Sequence, residues 1–227
     1  MVRRLLLSIV MLVGALSLGV SPADAVAACP PDPASGSTIN DSVQVTSGTC
    51  TLSGVTVTGS VSVSPGAVLI TKDAVIAGNV TATGANVKIE GGSIGGFVVL
   101  TDTSRFRLCR LSIGGALVIE NRTTSPTGSA LPQCTESGPV VNNGNVVIRN
   151  NALPVSGGGA VGGNLVISGN SATISFRNGR VNGGAQITNN SGAVTVANST
   201  VAGMLFCSGN TQPPDLTGTT AGAINCS

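Results

Sequence analysis

The feature that most restricts what this chain can fold into is a repeat of about nineteen residues. Two apolar residues separated by one recur at Val43/Val45, Val61/Val63, Val80/Ala82, Val98/Leu100, Leu117/Ile119, Val146/Ile148, Leu165/Ile167, Ala185/Ile187 and Leu205/Cys207. Two positions before these pairs stand Asp41, Gly59, Gly78, Gly96, Gly115, Gly144, Gly163, Gly183 and Gly203. Successive anchors are 18, 19, 18, 19, 29, 19, 20 and 20 residues apart. A spacing held over that many steps marks a stack of similar units, none of which can bury its apolar side alone.

Within a unit the alternation returns. A second pair falls at Cys50/Leu52, Val68/Ile70, Val87/Ile89, Phe106/Leu108, Ile174/Phe176 and Val194/Val196, and a third apolar position at Val57, Val75, Ile94, Ile113, Val161, Val181 and Val201. Period-two patterning with β-branched residues, broken by Gly, Asn, Ser, Thr and Pro, predicts three short strands per unit and no helix. The expected fold is therefore all-β: a three-sided parallel β-solenoid of about nine coils. At about 4.8 Å per coil the rod would be about 40 Å long. A sandwich of hairpins also alternates, but it would not keep one spacing throughout.

The chain accordingly divides into a signal at 1–25, an N-terminal cap at 26–40, the solenoid at 41–210 and a C-terminal cap at 211–227. The 29-residue step contains Pro126, Pro132, Cys134 and Pro139, which predicts an insertion over 122–141 that leaves the rod as a loop. Asn121, Asn150, Asn170, Asn189 and Asn210 lie six or seven residues after their anchors. Asn tolerates the left-handed region, so these positions suit the coil corners, where stacked amides can form a ladder.

Composition narrows the function classes. The chain has no His, Trp or Tyr, four Phe, 9% charged residues and a formal net charge of +2. That excludes a His-based triad or metal site, and it leaves nucleic-acid binding without either its electrostatics or its stacking platforms. A mean hydropathy of +0.41 argues against disorder.

Arg3 and Arg4 precede an apolar run from Leu5 to Val20 and a small-residue stretch ending at Ala25. This is the pattern of a secretory signal cleaved after Ala25, which would leave a secreted product with no membrane span. Val26-Ala27-Ala28-Cys29 offers a competing lipid-attachment motif, set back from the apolar run by Ser21–Ala25. The six cysteines are Cys29, Cys50, Cys109, Cys134, Cys207 and Cys226, with sequential pairs separated by 21, 25 and 19 residues. One coil of separation brings two residues to a similar azimuth, so Cys29–Cys50, Cys109–Cys134 and Cys207–Cys226 are the expected disulfides. With no C-x-x-C pair and no His, neither a metal nor a cofactor is expected.

The acids downstream of the signal are Asp32, Asp41, Asp73, Glu90, Asp102, Glu120, Glu136 and Asp215. Asp102 and Glu120 fall six and five residues after their anchors and Arg149 five after its own, which suggests a polar strip on the first face. It is a weak candidate for glycoside chemistry, which needs two carboxylates across one bond. A surface ion pair explains the same spacing. Gly157-Gly158-Gly159-Ala160-Val161-Gly162 matches G-x-G-x-x-G, but no helix follows, so it reads as a solenoid turn. Arg105, Arg107 and Arg110 surround Phe106 and Cys109, and an anion or glycan contact there competes with simple solvent exposure.

The runs Val57-Thr58-Gly59-Ser60-Val61 and Ile76-Ala77-Gly78-Asn79-Val80 resemble the G-x-V repeats of bactofilins, polymer-forming bacterial β-solenoids. Coil length and Asn turns are similar to those of secreted right-handed parallel β-helices, pectate-lyase-like enzymes among them. The resemblance implies the fold and right-handed winding. It assigns no catalytic or binding role to any residue here. The leading expectation is a secreted, non-catalytic structural or surface-binding module at a bacterial cell envelope, monomeric, meeting cell-wall or extracellular polysaccharide or an envelope protein. A carbohydrate-binding or carbohydrate-active β-helix and a self-assembling filament subunit are the alternatives.

Overall fold

The computed structural model describes residues 26–123, 130–136 and 138–226; the expected signal and Pro126 lie outside them. Among the described residues the chain is all-β, and its parallel strands stack as a solenoid of about 10 turns with roughly 19-residue spacing. The nine anchor pairs form the first face. Their strands pair in register, for example Val61 with Val80, Val98 with Leu117 and Leu165 with Ala185. All eighteen residues of those pairs are buried. One further rung lies beyond them at each end: Val26–Ala28 beside Ser42–Val45, and Thr220–Cys226 beside Thr200–Ser208.

The recurring anchor glycine has a steric cause. Gly144 N donates to Gly115 O at 3.1 Å, and Gly115 N to Gly96 O at 2.8 Å, so one backbone column climbs this corner. A Cβ on Gly144 would come within 2.6 Å of Gly115 O, and one on Gly78 within 2.7 Å of Gly59 O. Close approach of stacked backbones requires glycine at these positions.

The second face is where the apolar pattern misleads. Cys50, Leu69, Val87 and Phe106 share one inward column, and Leu52, Thr71, Ile89 and Leu108 the next. The inward pair in the second coil is therefore Leu69/Thr71, not Val68/Ile70. On the third face Val57 pairs with Ile76, so Ile76 points inward and Val75 is exposed. In both places a run of consecutive apolar residues hides the register, which the neighbouring strands then set.

Two corners need left-handed residues. Gly84, Asp102, Asn121, Asn150, Gly169, Asn189 and Gly209, all at positive φ, mark the turn from first to second face. The amide ladder lies one residue further on. Asn151, Asn170 and Asn190 are fully buried, and each Nδ2 donates to the Oδ1 of the next Asn, at 2.9 Å, 2.9 Å and, for Asn190 to Asn210, 2.8 Å. The expected set thus mixes two columns: Asn121, Asn150 and Asn189 make the bend, while Asn170 and Asn210 belong to the ladder.

Three disulfides staple the rod. Cys29–Cys50, Cys109–Cys134 and Cys207–Cys226 have Cα–Cα distances of 5.4, 6.5 and 4.3 Å. They point to an oxidising compartment. Among the described residues no helix is long and apolar enough to cross a membrane.

Candidate functional site

The second face is interrupted. Its strands form two separate sheets, Thr49–Ser53, Val68–Lys72, Asn86–Glu90 and Arg105–Cys109 in one, and Val155–Gly157, Ile174–Arg177 and Val194–Ala197 in the other. On the first face, by contrast, Leu117–Glu120 pairs with the strand before and the strand after it. The coil that begins with Leu117 therefore has no second-face strand among the described residues. The described part of the insertion, residues 130–136, lies elsewhere.

Where the spacing suggests a loop leaving the rod, residues 130–136 instead lie back against the preceding coils. Glu90 and Lys88 hold them. Both side chains point outward from their strand yet are almost fully buried, and Lys88 Nζ lies 2.7 Å from Glu90 Oε2. Lys88 Nζ also donates to Gln133 O at 2.9 Å. Glu90 Oε1 accepts from Thr135 N at 2.6 Å, from Glu136 N at 2.9 Å and from the Thr135 hydroxyl. The Lys88 ammonium first, then the Thr135 and Glu136 donors, hold the Glu90 carboxyl down at about 2. Arg110 extends the clasp, with one guanidinium nitrogen 2.8 Å from Asp73 and the other 3.0 Å from Glu136. Sequence reasoning missed this clasp. An outward Lys and Glu on one strand look solvated, and nothing local says that a segment 45 residues away covers them.

Of the expected polar strip, the structure brings two members together. Glu120 and Arg149 are register partners, with Arg149 Nε and one terminal nitrogen each 2.6 Å from Glu120 Oε2. Thr101 Oγ1 donates to Glu120 Oε1 at 3.2 Å. Asp102 sits one position further on, in the left-handed corner column, and its carboxylate accepts from Thr123 N and Oγ1. Arg105 and Arg107 lie on the last strand before the interruption. Cys29, Asp32 and Cys50 come close enough together to suggest a metal cluster, but the two sulfurs are joined to each other. The same bond occupies the Cys29 sulfur that lipid attachment would need.

Arg122 takes the ladder position in the interrupted coil, its N donating to Asn151 Oδ1 at 3.2 Å. Its guanidinium is buried and donates to Thr103 O at 2.9 Å, Ser104 O at 3.0 Å and Pro154 O at 2.7 Å, lying 4.9 Å from the Phe106 ring centroid. Burial lowers its pKa from the ordinary arginine value. It ties the two sides of the interruption together from within.

Between those sides a cavity of about 350 Å³ reaches the core. Phe106 and Leu108 line one edge and Val155 and Gly157 the other, with Ile119 and Ile148 behind them. Phe106 and Leu108 are half-buried, whereas Val87 and Ile89 one coil earlier are fully covered. Among the described residues no next second-face strand covers them. Asn142 lines the third-face wall. Compared with family models, curated proteins and solved structures, the chain matches none.

Proposed function

We propose that the chain is a secreted, non-catalytic rod acting as a structural or surface-binding module at a bacterial cell envelope. The observation that carries this reading is how the acids are used. Glu90 holds the docked segment, Glu120 is paired with Arg149, and Asp73 and Glu136 share Arg110. Asp32 accepts from Thr51 N on the neighbouring strand, Asp102 from Thr123 N one coil on, and Asp215 from Thr217 N in its own turn. Carboxylates so committed serve the architecture, and glycoside chemistry needs a pair left facing one bond. Stapled parallel coils give a rigid scaffold whose outer faces are available to a wall polysaccharide or an envelope protein. The test is a panel of wall and extracellular polysaccharides, assayed for both cosedimentation and depolymerisation. Retention without new chain ends is expected; cleavage abolished by Glu120→Ala or Asp102→Ala would overturn the reading.

One observation favours filament assembly as a second reading. Thr220–Cys226 pairs with the preceding rung on one side only among the described residues, and Ile224 on it is exposed. An unpaired strand edge is a template for another chain. Light scattering on the oxidised protein separates the two: a single monomer mass supports the isolated module, and length-distributed species support the filament.

A further inference from the structure

The interruption leaves two strand edges facing each other. Arg105–Cys109 pairs with Asn86–Glu90, and Val155–Gly157 with Ile174–Arg177, each on one side only among the described residues. On the first face a single strand, Leu117–Glu120, separates the coils to which they belong. The edges are therefore two coil spacings of about 4.8 Å apart, which leaves the room one strand takes. The cavity follows these edges. Consecutive residues line it on both sides, Arg107, Leu108 and Cys109 on one and Ser156, Gly157 and Gly158 on the other. Neighbouring side chains of a strand point to opposite faces, so unbroken runs line one cavity only where it borders the backbone edge. The slot is open from outside. Gly157 is exposed although its register partner Phe176 is a buried core residue, and a Cβ on it would meet nothing within 4 Å. Arg107 lines the slot from the outward column it shares with Lys88, and it forms no ion pair among the described residues.

We infer that this slot docks an extended strand of a partner protein, carrying a large apolar residue, an acidic residue and a second large apolar residue in succession. Laid between the two edges, such a strand restores the sheet, because both flanking backbones gain partners for the donors and acceptors they turn to the gap. Its apolar side chains continue the two inward columns. Counted back from the left-handed corner residues Arg110 and Asn178, Leu108 and Phe176 hold the same position, and Gly157 is the register partner of Phe176. One apolar residue thus lies between Phe106 and Val155, and the other between Leu108 and Gly157. The second place is the roomier, since Gly157 brings no side chain to it. The residue between them points outward at the level of Arg107, where a carboxylate meets the guanidinium. Residues 124–129 of this chain, outside the described residues, read Thr-Ser-Pro-Thr-Gly-Ser and lack that alternation. The inference goes beyond the envelope reading and stands independently of it.

The test is calorimetric titration of the purified, oxidised protein with end-capped heptapeptides Ser-Thr-X-Glu-Z-Thr-Ser, X and Z being Val, Leu or Phe in every combination. At least one peptide is expected to bind with a Kd below about 1 mM. Methylating the backbone nitrogen of its Glu, which removes a sheet donor and keeps the side chains, is expected to weaken binding about tenfold or more. Exchanging that Glu for Lys is expected to weaken it by about as much, and Arg107→Glu to reverse the preference. Gly157→Leu, which grows into open space and should keep the melting temperature, is expected to weaken most the peptides with Phe at Z. No binding up to about 1 mM, equal binding of the methylated peptide, or a Glu preference unchanged in a folded Arg107→Glu protein would each overturn the inference. Self-association seen by light scattering and lost in Gly157→Leu would overturn it too, by seating a second copy of the chain in the slot. None of these results depends on polysaccharide binding, so the two readings fail separately.

Discussion

The early coils and the late coils turn the same corner with different chemistry. In the early coils the residues just after the left-handed bend include Ala67 and Ala85, both buried, and the corner closes by apolar contact. In the late coils the same position holds Asn151, Asn170, Asn190 and Asn210, and the corner closes by amide bonds running up the rod. Thr103 and Arg122 stand at the changeover. The two halves therefore keep their security in different places. The early half is covered from outside, by residues 130–136 over Lys88 and Glu90, and the late half is tied from inside.

The sharpest way to break that contrast is Asn170→Ala. Asn170 Oδ1 accepts from both Asn151 N and Asn151 Nδ2, while Asn170 Nδ2 serves Asn190 Oδ1 and Ile148 O, all out of reach of water. The substitution orphans several buried groups at once and should cost about 3–5 kcal/mol by the usual penalty per unmet group. Denaturant titration should show this as a large fall in midpoint. A loss under about 1 kcal/mol would mean that the ladder is ornament and the late corner holds by apolar packing as the early one does.

Next in size comes the changeover itself. Arg122→Met keeps the stem over Phe106 and removes the three donors to Thr103 O, Ser104 O and Pro154 O. Bonds from a charged donor are worth about 1.5–3 kcal/mol, offset in part by no longer burying the cation, so a net loss of about 2 kcal/mol is expected. Arg122→Lys should rescue little, because a point ammonium cannot reach carbonyls on both sides of the interruption. Full rescue by Lys would show that charge, and not the fork, joins the halves.

Much of this was legible in the sequence, and the failures are instructive. The anchor pairs were readable because a glycine that cannot carry a Cβ precedes nearly every one. The inward residues Leu69, Thr71 and Ile76 were not, because Val68, Ile70 and Val75 beside them are as apolar as the core residues, and one of the true core positions is a threonine. The two Asn columns were blurred where they run side by side, as Asn150-Asn151 and Asn189-Asn190. The interruption showed as a 29-residue step, but a length cannot say whether the extra residues fill the missing strand's place or fold elsewhere. Asn142 carried a signal that could have been used: it breaks the apolar third position in the one coil of unusual length.

The external cover of the early half responds to pH. The Glu90 carboxyl is held down at about 2 in the folded protein, against about 4.3 for a free glutamate. A depressed carboxylate adds stability that is fully present above the unfolded value and is lost as pH falls through the folded one. Residues 130–136, which the Cys109–Cys134 disulfide keeps tethered, should therefore hold their bonds to Glu90 at pH 5, weaken them below about 4 and lose them near 2, while the late half keeps its amide ladder, which does not titrate. Hydrogen exchange at Thr135 N and Glu136 N, compared with Asn170 N, reads this directly. Glu90→Gln should leave the docked segment weakly protected relative to the intrinsic exchange rate, with that protection nearly independent of pH in the window. Equal acid sensitivity at Asn170 would show that the halves unfold together.

The smallest effect belongs to the pair that looked most like a site. Glu120 and Arg149 face each other on the first face, with Arg149 half exposed, and such pairs are worth about 0–1 kcal/mol. Glu120→Gln should lower stability by no more than that, and raising the salt concentration should shrink the difference further. The pair sits on the unbroken face at the level where the second face is broken, so it also tests whether the interruption strains its neighbours. If Glu120→Gln costs several times more than expected, the first face is compensating for the missing strand. The two faces of the interrupted coil are then energetically coupled, and the early and late halves meet through the first face as well as through Arg122.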